Sequence, residues 1–190
     1  MKLVFATHNF NKLQEVQAMM PSSIELISLD DIGCIEEIPE TAATIEENSI
    51  LKADYVKDNF KRDCFADDTG LEVQTLDGAP GVHSARYAGE GKNNEDNIDK
   101  LLLALEGKLN RRAQFKTVIA LNLENDKTLF TGICKGIITG ERRGDKGFGY
   151  DAVFQPDGSN KTFAEMNSAE KSAISHRGIA LRELIEYLSK

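Results

Sequence analysis

Two adjacent carboxylates and a hydroxyl, Asp67, Asp68 and Thr69, fall in Phe65-Ala66-Asp67-Asp68-Thr69-Gly70-Leu71, where a short apolar run stops at a glycine. Magnesium takes oxygen ligands and keeps several waters and substrate phosphates in its octahedron. Acidic side chains at a strand end therefore serve it better than a closed protein cage. That reading implies work on a phosphate ester or anhydride. Asp67-Asp68-Thr69-Gly70 is also good turn material, and a plain solvated turn accounts for the local chemistry as well.

Three other segments carry chemistry. Thr7-His8-Asn9-Phe10-Asn11-Lys12 lies where a predicted strand hands over to a predicted helix. Backbone N–H groups and the positive helix end face that turn and Lys12 lies one turn in, which makes a cradle for phosphate. An Asn-capped helix with a solvated lysine explains the same residues without a ligand. Gly147-Phe148-Gly149-Tyr150-Asp151 sets two aromatics beside an acid, an arrangement that suits stacking a nucleobase while the carboxylate accepts from a ring N–H. It also suits a tight strand entry with Phe148 and Tyr150 in the core. Lys171, His176 and Arg177 offer cationic or switchable donors for phosphate or a base carbonyl, against the ordinary reading of a solvated face at a helix junction. Neither a Walker A loop nor a complete dinucleotide fingerprint occurs, and His8, His83 and His176 form no metal-ligand spacing.

These residues need elements to place them. Leu3 to Ala6 reads as a buried strand, Phe10 to Met20 as an amphipathic helix stopped at Pro21, and Ile24 to Leu29 as a second strand. A loop with Glu36, Glu37 and Glu40 leads to a helix over Thr44 to Phe60. Its opening, Thr44-Ile45-Glu46-Glu47, has the form of a capping box, and Thr44, Asn48 and Lys52 share one face. Leu71 to Leu76 alternates as a strand that ends at the turn Asp77-Gly78. Ser84 to Asn94 reads as a loop, and Glu95 to Leu105 as a helix with its leucines in the core. Phe115 to Leu123 and Leu129 to Ile138 form a predicted hairpin about Glu124-Asn125-Asp126-Lys127. A strand at Asp151 to Phe154 and helices at Ser168 to Ile174 and His176 to Leu188 close the chain. The pattern predicts an α/β fold with a mixed sheet, in a single domain over residues 1–190.

Composition bounds the partners. The 190 residues are 41% hydrophobic and carry a net charge of -8, from 31 acidic and 23 basic residues. That balance opposes long-range attraction to nucleic acid or an anionic membrane, so a phosphate partner must be met by a local basic cluster or through a metal. Cys34, Cys64 and Cys134 form no Cys-x-x-Cys pair, which suits buried thiols in a reducing cytosol. The apolar run at Met1 to Ala6 is too short for a signal peptide and no run approaches membrane-spanning length, so the expected location is cytoplasmic.

Taken in order, several blocks resemble one family. They are Thr7-x-Asn9-x-x-Lys12, Glu40 ahead of Glu47-Asn48-Ser49-Ile50-Leu51-Lys52, Ala66 to Leu71, Pro80-Gly81, Gly147 to Asp151, and Ser175-His176-Arg177-Gly178. The chain is similar over Lys2 to about Leu188 to the inosine triphosphate pyrophosphatases, which hydrolyse ITP, dITP and XTP to monophosphate and pyrophosphate. It departs at His8, where glycine or serine is frequent, and at Thr69, where serine is commoner. The resemblance implies that Thr7, Asn9 and Lys12, in the loop shared with His8, Phe10 and Asn11, hold the triphosphate with help from Lys52. Asp68 and Glu40 would bind Mg2+, Asp68 would be the general base, and Asp67 would act through the metal's water shell. Thr69 would touch the substrate. Phe148, Gly149, Tyr150, Asp151, Lys171, His176 and Arg177 would form the base and sugar end, with His176 or Arg177 donating to the 6-keto group. The implied fold is an elongated mixed sheet flanked by helices, in two lobes around a central cleft, and the implied assembly is a homodimer. The rival expectations are a pyrophosphatase with another base preference and a non-catalytic nucleotide-binding module.

Overall fold

The periodicities resolve into five helices and seven strands among the described residues of a computed structural model, which are 1–124 and 126–190. The first third holds β1 (Lys2–Phe5), α1 (Phe10–Met19), β2 (Glu25–Ile27) and α2 (Ile45–Phe60). Then follow β3 (Cys64–Val73), β4 (Pro80–Gly81), α3 (Asn94–Ala104), β5 (Arg112–Leu123) and β6 (Asp126–Ile138). The chain ends with β7 (Phe154–Pro156), α4 (Ser168–Ile174) and α5 (His176–Leu188). The strands order as β2-β1-β3-β5-β6-β7, with β4 paired to β3. β1 is parallel to β2 and to β3, whereas β4 and β7 run antiparallel to β3 and β6. The sheet is therefore mixed, as expected. β5 and β6 are neighbours, as the predicted hairpin requires; Asn125 of its turn lies outside the described residues.

Two compact units divide the chain. One comprises Met1–Asp68, Thr117–Gly132 and Arg177–Lys190; the other comprises Thr69–Lys116 and Ile133–His176. In the first unit, strand alternation sends successive side chains to opposite faces. Leu3 and Phe5 of β1, Phe65 of β3 and Ile119 and Leu121 of β5 pack with Val16 of α1 and Ala180, Leu181 and Leu184 of α5. Val4, Ala6, Cys64, Ala66 and Ala120 turn the other way, onto Ala53 and Val56 of α2. The second unit has one core, in which Ile98, Leu101 and Leu105 meet Phe115, Ile138, Tyr150, Phe154 and Phe163.

The structure differs from the sequence reading at several strand bounds, among them β6, which begins at Asp126 inside the predicted turn. The segment at Asp67 to Gly70 is no turn, because β3 runs without interruption from Cys64 to Val73. The predicted strand over Leu71 to Leu76 is thus the second half of a longer one, and Gln74–Leu76 form a 3-10 turn before Asp77 and Gly78, both with positive φ. Asp151 to Val153 are not extended either. The N–H groups of Asp151, Val153 and Phe154 donate locally to Phe148 and Tyr150 carbonyls, so the strand starts only at Phe154. Finally, β2 is confined to Glu25–Ile27, since Ser28 and Asp31 close a hydrogen-bonded turn behind it.

Candidate active site

Asp67 and Asp68 are adjacent in β3, and a strand directs neighbouring side chains to opposite faces. This separates two carboxylates that the sequence shows side by side. Asp67 follows Phe65 toward α1 and α5, where Lys12 Nζ donates to its Oδ1 at 2.9 Å and Arg177 Nε donates to its Oδ2 at 3.0 Å. Arg177 Nη1 also donates to Glu15 Oε2 at 2.6 Å. Asp68 follows Ala66 toward α2, where Lys52 Nζ lies 3.4 Å from its Oδ1 and also pairs with Glu40.

The two carboxyls are tuned in opposite directions. Burial opposes the charge on Asp67, but the Lys12 and Arg177 cations outweigh it and hold the group well below the usual carboxylate range. Burial wins at Asp68 and raises its pKa despite Lys52 and Lys12, with the Glu40 and Asp67 charges adding to the rise. Lys12 is pushed down, chiefly by burial and against the pull of Asp67. At Lys52 burial is overcome by Asp68 and Glu40, and the pKa rises.

Local sequence explains the supports. Asn9 caps α1, its side chain accepting from Lys12 N at 3.1 Å, and its own N–H donates to Thr7 Oγ1 at 3.1 Å. Thr7 is half-buried, while His8, Asn9, Phe10 and Asn11 are exposed, so this turn presents an open N-terminal helix end. Thr44 caps α2 by accepting from Glu47 N at 3.2 Å. Glu40 lies in the irregular segment before that helix.

The donor set fits a magnesium ion. Glu40 and Asp68 both contact the one Lys52 ammonium, and both offer the oxygen ligands that Mg2+ takes. Among the described residues no group of three His, Cys, Asp or Glu is placed to hold a metal ion.

A second group lies in the other unit. Asp151 is buried, and its Oδ2 accepts from Lys171 Nζ at 2.6 Å and from Phe148 N at 2.9 Å. The Lys171 ammonium lies 5.0 Å from the Phe148 ring centre, and the half-buried Phe148 retains accessible surface. Gly147 turns through a φ of 74°, and a Cβ there would fall 2.1 Å from Asp151 Oδ2. His176 stacks on Phe115 with ring centres 4.4 Å apart and planes at 19°.

A Ham1 family model matches residues 3–187. The chain belongs to the Ham1 family. A dITP/XTP pyrophosphatase of Christiangramia forsetii is 62% identical over 190 residues, covering 100% of both chains. One of the same name from Flavobacterium psychrophilum is 60% identical over 187 residues, 98% of each chain. Among solved structures, a HAM1 protein from Coxiella burnetii superposes with a TM-score of 0.92 at 37% identity, covering 100% of this chain and 98% of its own.

Within this Ham1 chain the expected residues form two groups. Lys12, Lys52, Asp67, Asp68, Glu40 and Arg177 gather in the first unit; Phe148, Asp151, Lys171 and His176 lie in the second. Two expectations change. Tyr150 is no stacking platform, because its ring is in the core and its hydroxyl donates to Ser84 O at 2.8 Å. Arg177 is held by Asp67 and Glu15, all within the first unit. Glu15 and Ser84 were missed by the sequence reading. Glu15 sits one turn beyond Asn11 on α1, a spacing that shows only its helix face. Ser84 lies in a segment that reads as loop.

Proposed function

We infer that the protein hydrolyses non-standard purine nucleoside triphosphates, of the dITP and XTP kind, to the monophosphate and pyrophosphate. The observation that carries this reading is the buried Asp68 with Glu40 on one cation, in a chain 62% identical to a dITP/XTP pyrophosphatase. The reaction is assigned to one domain over residues 1–190.

Hydrolysis at the α-phosphorus builds negative charge on the leaving pyrophosphate and on the equatorial oxygens. Glu40 and Asp68 would hold Mg2+, which when bound supplies charge neutralisation and a more acidic water. Lys12 and Lys52 add fixed positive charge, and the open turn Thr7 to Asn11 offers backbone N–H groups to phosphate oxygens. Asp68 takes the proton of the attacking water. Asp67 orients Lys12 and Arg177. Thr69, half-buried and next to Asp68, contacts the substrate.

The base is assigned to the second unit. Phe148 supplies a stacking face, Lys171 and Asp151 are a donor and acceptor pair, and His176 donates to the 6-keto oxygen. Adenine would meet that donor with its 6-amino group and leave polar groups unsatisfied. Gly149 keeps this turn open. The protein acts in the cytoplasm as a homodimer and engages neither nucleic acid nor membrane. The net charge of -8 supports the last point, and no helix among the described residues is long and apolar enough to cross a membrane.

The deciding experiment measures phosphate and pyrophosphate separately for ITP, dITP, XTP, GTP, ATP and modified pyrimidine triphosphates. Pyrophosphate release led by dITP and XTP, abolished by EDTA and restored by Mg2+, is expected. Preference for a pyrimidine substrate, or ITP binding without turnover, would replace this reading with one of its rivals. Light scattering checks the dimer, and a monomer at micromolar concentration would remove it.

A further inference from the structure

Glu40 rides on residues 33–44, which form no helix or strand. Its carboxylate nevertheless has to sit where it shares a cation with Asp68. Ile38, before it, is anchored in the core against α2. Ala42, after it, is anchored by a polar side chain from that same helix. Asn48 Oδ1 accepts from Ala42 N at 2.9 Å, and Asn48 Nδ2 lies 3.5 Å from Ala42 O as donor. The amide thus meets both polar groups of one residue, as a neighbouring strand would, in a segment that has no strand partner. Asn48 is 3% exposed, so this contact is shielded from water. One turn further along α2, Lys52 pairs with the Glu40 carboxylate itself.

We propose that Asn48 is a positioning residue for metal binding, which fixes the backbone beside Glu40 so that its carboxylate meets the cation shared with Asp68. The inference rests on the reading of Glu40 and Asp68 as the magnesium carboxylates. Without the amide, Ala42 loses its acceptor and the Glu40 segment gains conformations that must be surrendered when the ion binds. Groups that orient metal ligands typically contribute ten- to a hundredfold in metal affinity. A residue that merely stabilised the fold would shift the thermal midpoint and leave ion affinity alone.

The test uses Mn2+ alone as probe, titrated into the full chain and followed by electron paramagnetic resonance, with thermal midpoints measured in parallel. Asn48→Ala should weaken Mn2+ binding by about tenfold or more. Asn48→Ser, which keeps a polar side chain too short to span to Ala42, should do the same and serves if the alanine variant folds poorly. Asn122→Ala is the control. It removes a comparable buried amide, whose Nδ2 donates to Asp54 Oδ1 at 2.9 Å, and should lower the midpoint without moving Mn2+ affinity. Glu40→Gln separates the two levels of argument. If Glu40→Gln weakens Mn2+ and neither Asn48 variant does, the positioning role is wrong while the metal assignment stands. Should Glu40→Gln leave Mn2+ unchanged, or the wild type bind none, the metal assignment itself is wrong. An equal loss of affinity in Asn122→Ala would also overturn the proposal.

Discussion

Asp68 and Asp67 differ by one peptide unit and are assigned opposite tasks. Asp68→Asn is nearly isosteric but cannot accept a proton, so kcat should fall by a factor on the order of 10² or more with the thermal midpoint retained. A variant with near-normal kcat would mean that another group is the base. Arg177 and His176 make a second contrast between neighbours. His176→Ala should narrow the ratio of ITP to ATP turnover, because it removes a donor that favours the keto substrate and opposes the amino one. Arg177→Ala removes one of the two cations bonded to Asp67 and a partner of Glu15, so it should lower kcat/KM for ITP, XTP, GTP and ATP by a common factor and also reduce the thermal midpoint. If Arg177→Ala alters the ratio instead, the guanidinium leaves Asp67 for the base during turnover.

At the scale of an element, the turn Gly147 to Asp151 depends on glycine at its first position. A Cβ on Gly147 would drive into the Asp151 carboxylate at 2.1 Å, whereas one on Gly149 meets nothing within 4 Å. Both residues have positive φ, so both alanine variants carry backbone strain, and the difference between them isolates the collision. Gly147→Ala should therefore cost up to about a hundredfold in kcat/KM and loosen base preference, through displacement of Asp151. Gly149→Ala should cost clearly less. Equal losses would show that the turn conformation, and not the Asp151 contact, matters.

Across the whole molecule the three cysteines are buried, and burial pushes Cys134 up to about 11 and Cys64 up to about 12 from the ordinary 9.0. The native chain should then react with Ellman's reagent only after denaturation, when all three thiols appear. A rapid native titre of one or more would contradict the packing. The same shift links stability to alkaline pH. A thiol whose folded pKa is raised binds its proton more tightly in the native state, so its contribution is complete below about pH 9 and declines as pH rises toward 12. The thermal midpoint should fall over that window, and less steeply in Cys64→Ala. An identical slope in the variant would assign the loss to other groups.

The sequence by itself determined the ends of α2, α4 and α5, since capping residues and helical periodicity act within a few residues of the chain. It also carried the ordered blocks that mark the family, because each block keeps together the residue types its chemistry needs. Only the tertiary structure decided that Asp67 to Gly70 is strand and not turn. Polar residues and a glycine favour a turn locally, but β1 beside β3 and the Lys12, Arg177 and Lys52 cations compensate the buried carboxylates, and no local pattern records that compensation. Tertiary structure likewise sent Tyr150 to the core through a hydroxyl contact with Ser84, 66 residues away. It drew Arg177 from its sequence neighbours to Asp67, 110 residues distant. Long-range pairing of buried charge and hydroxyl groups depends on which strands and helices meet, so it becomes visible only once the chain has folded.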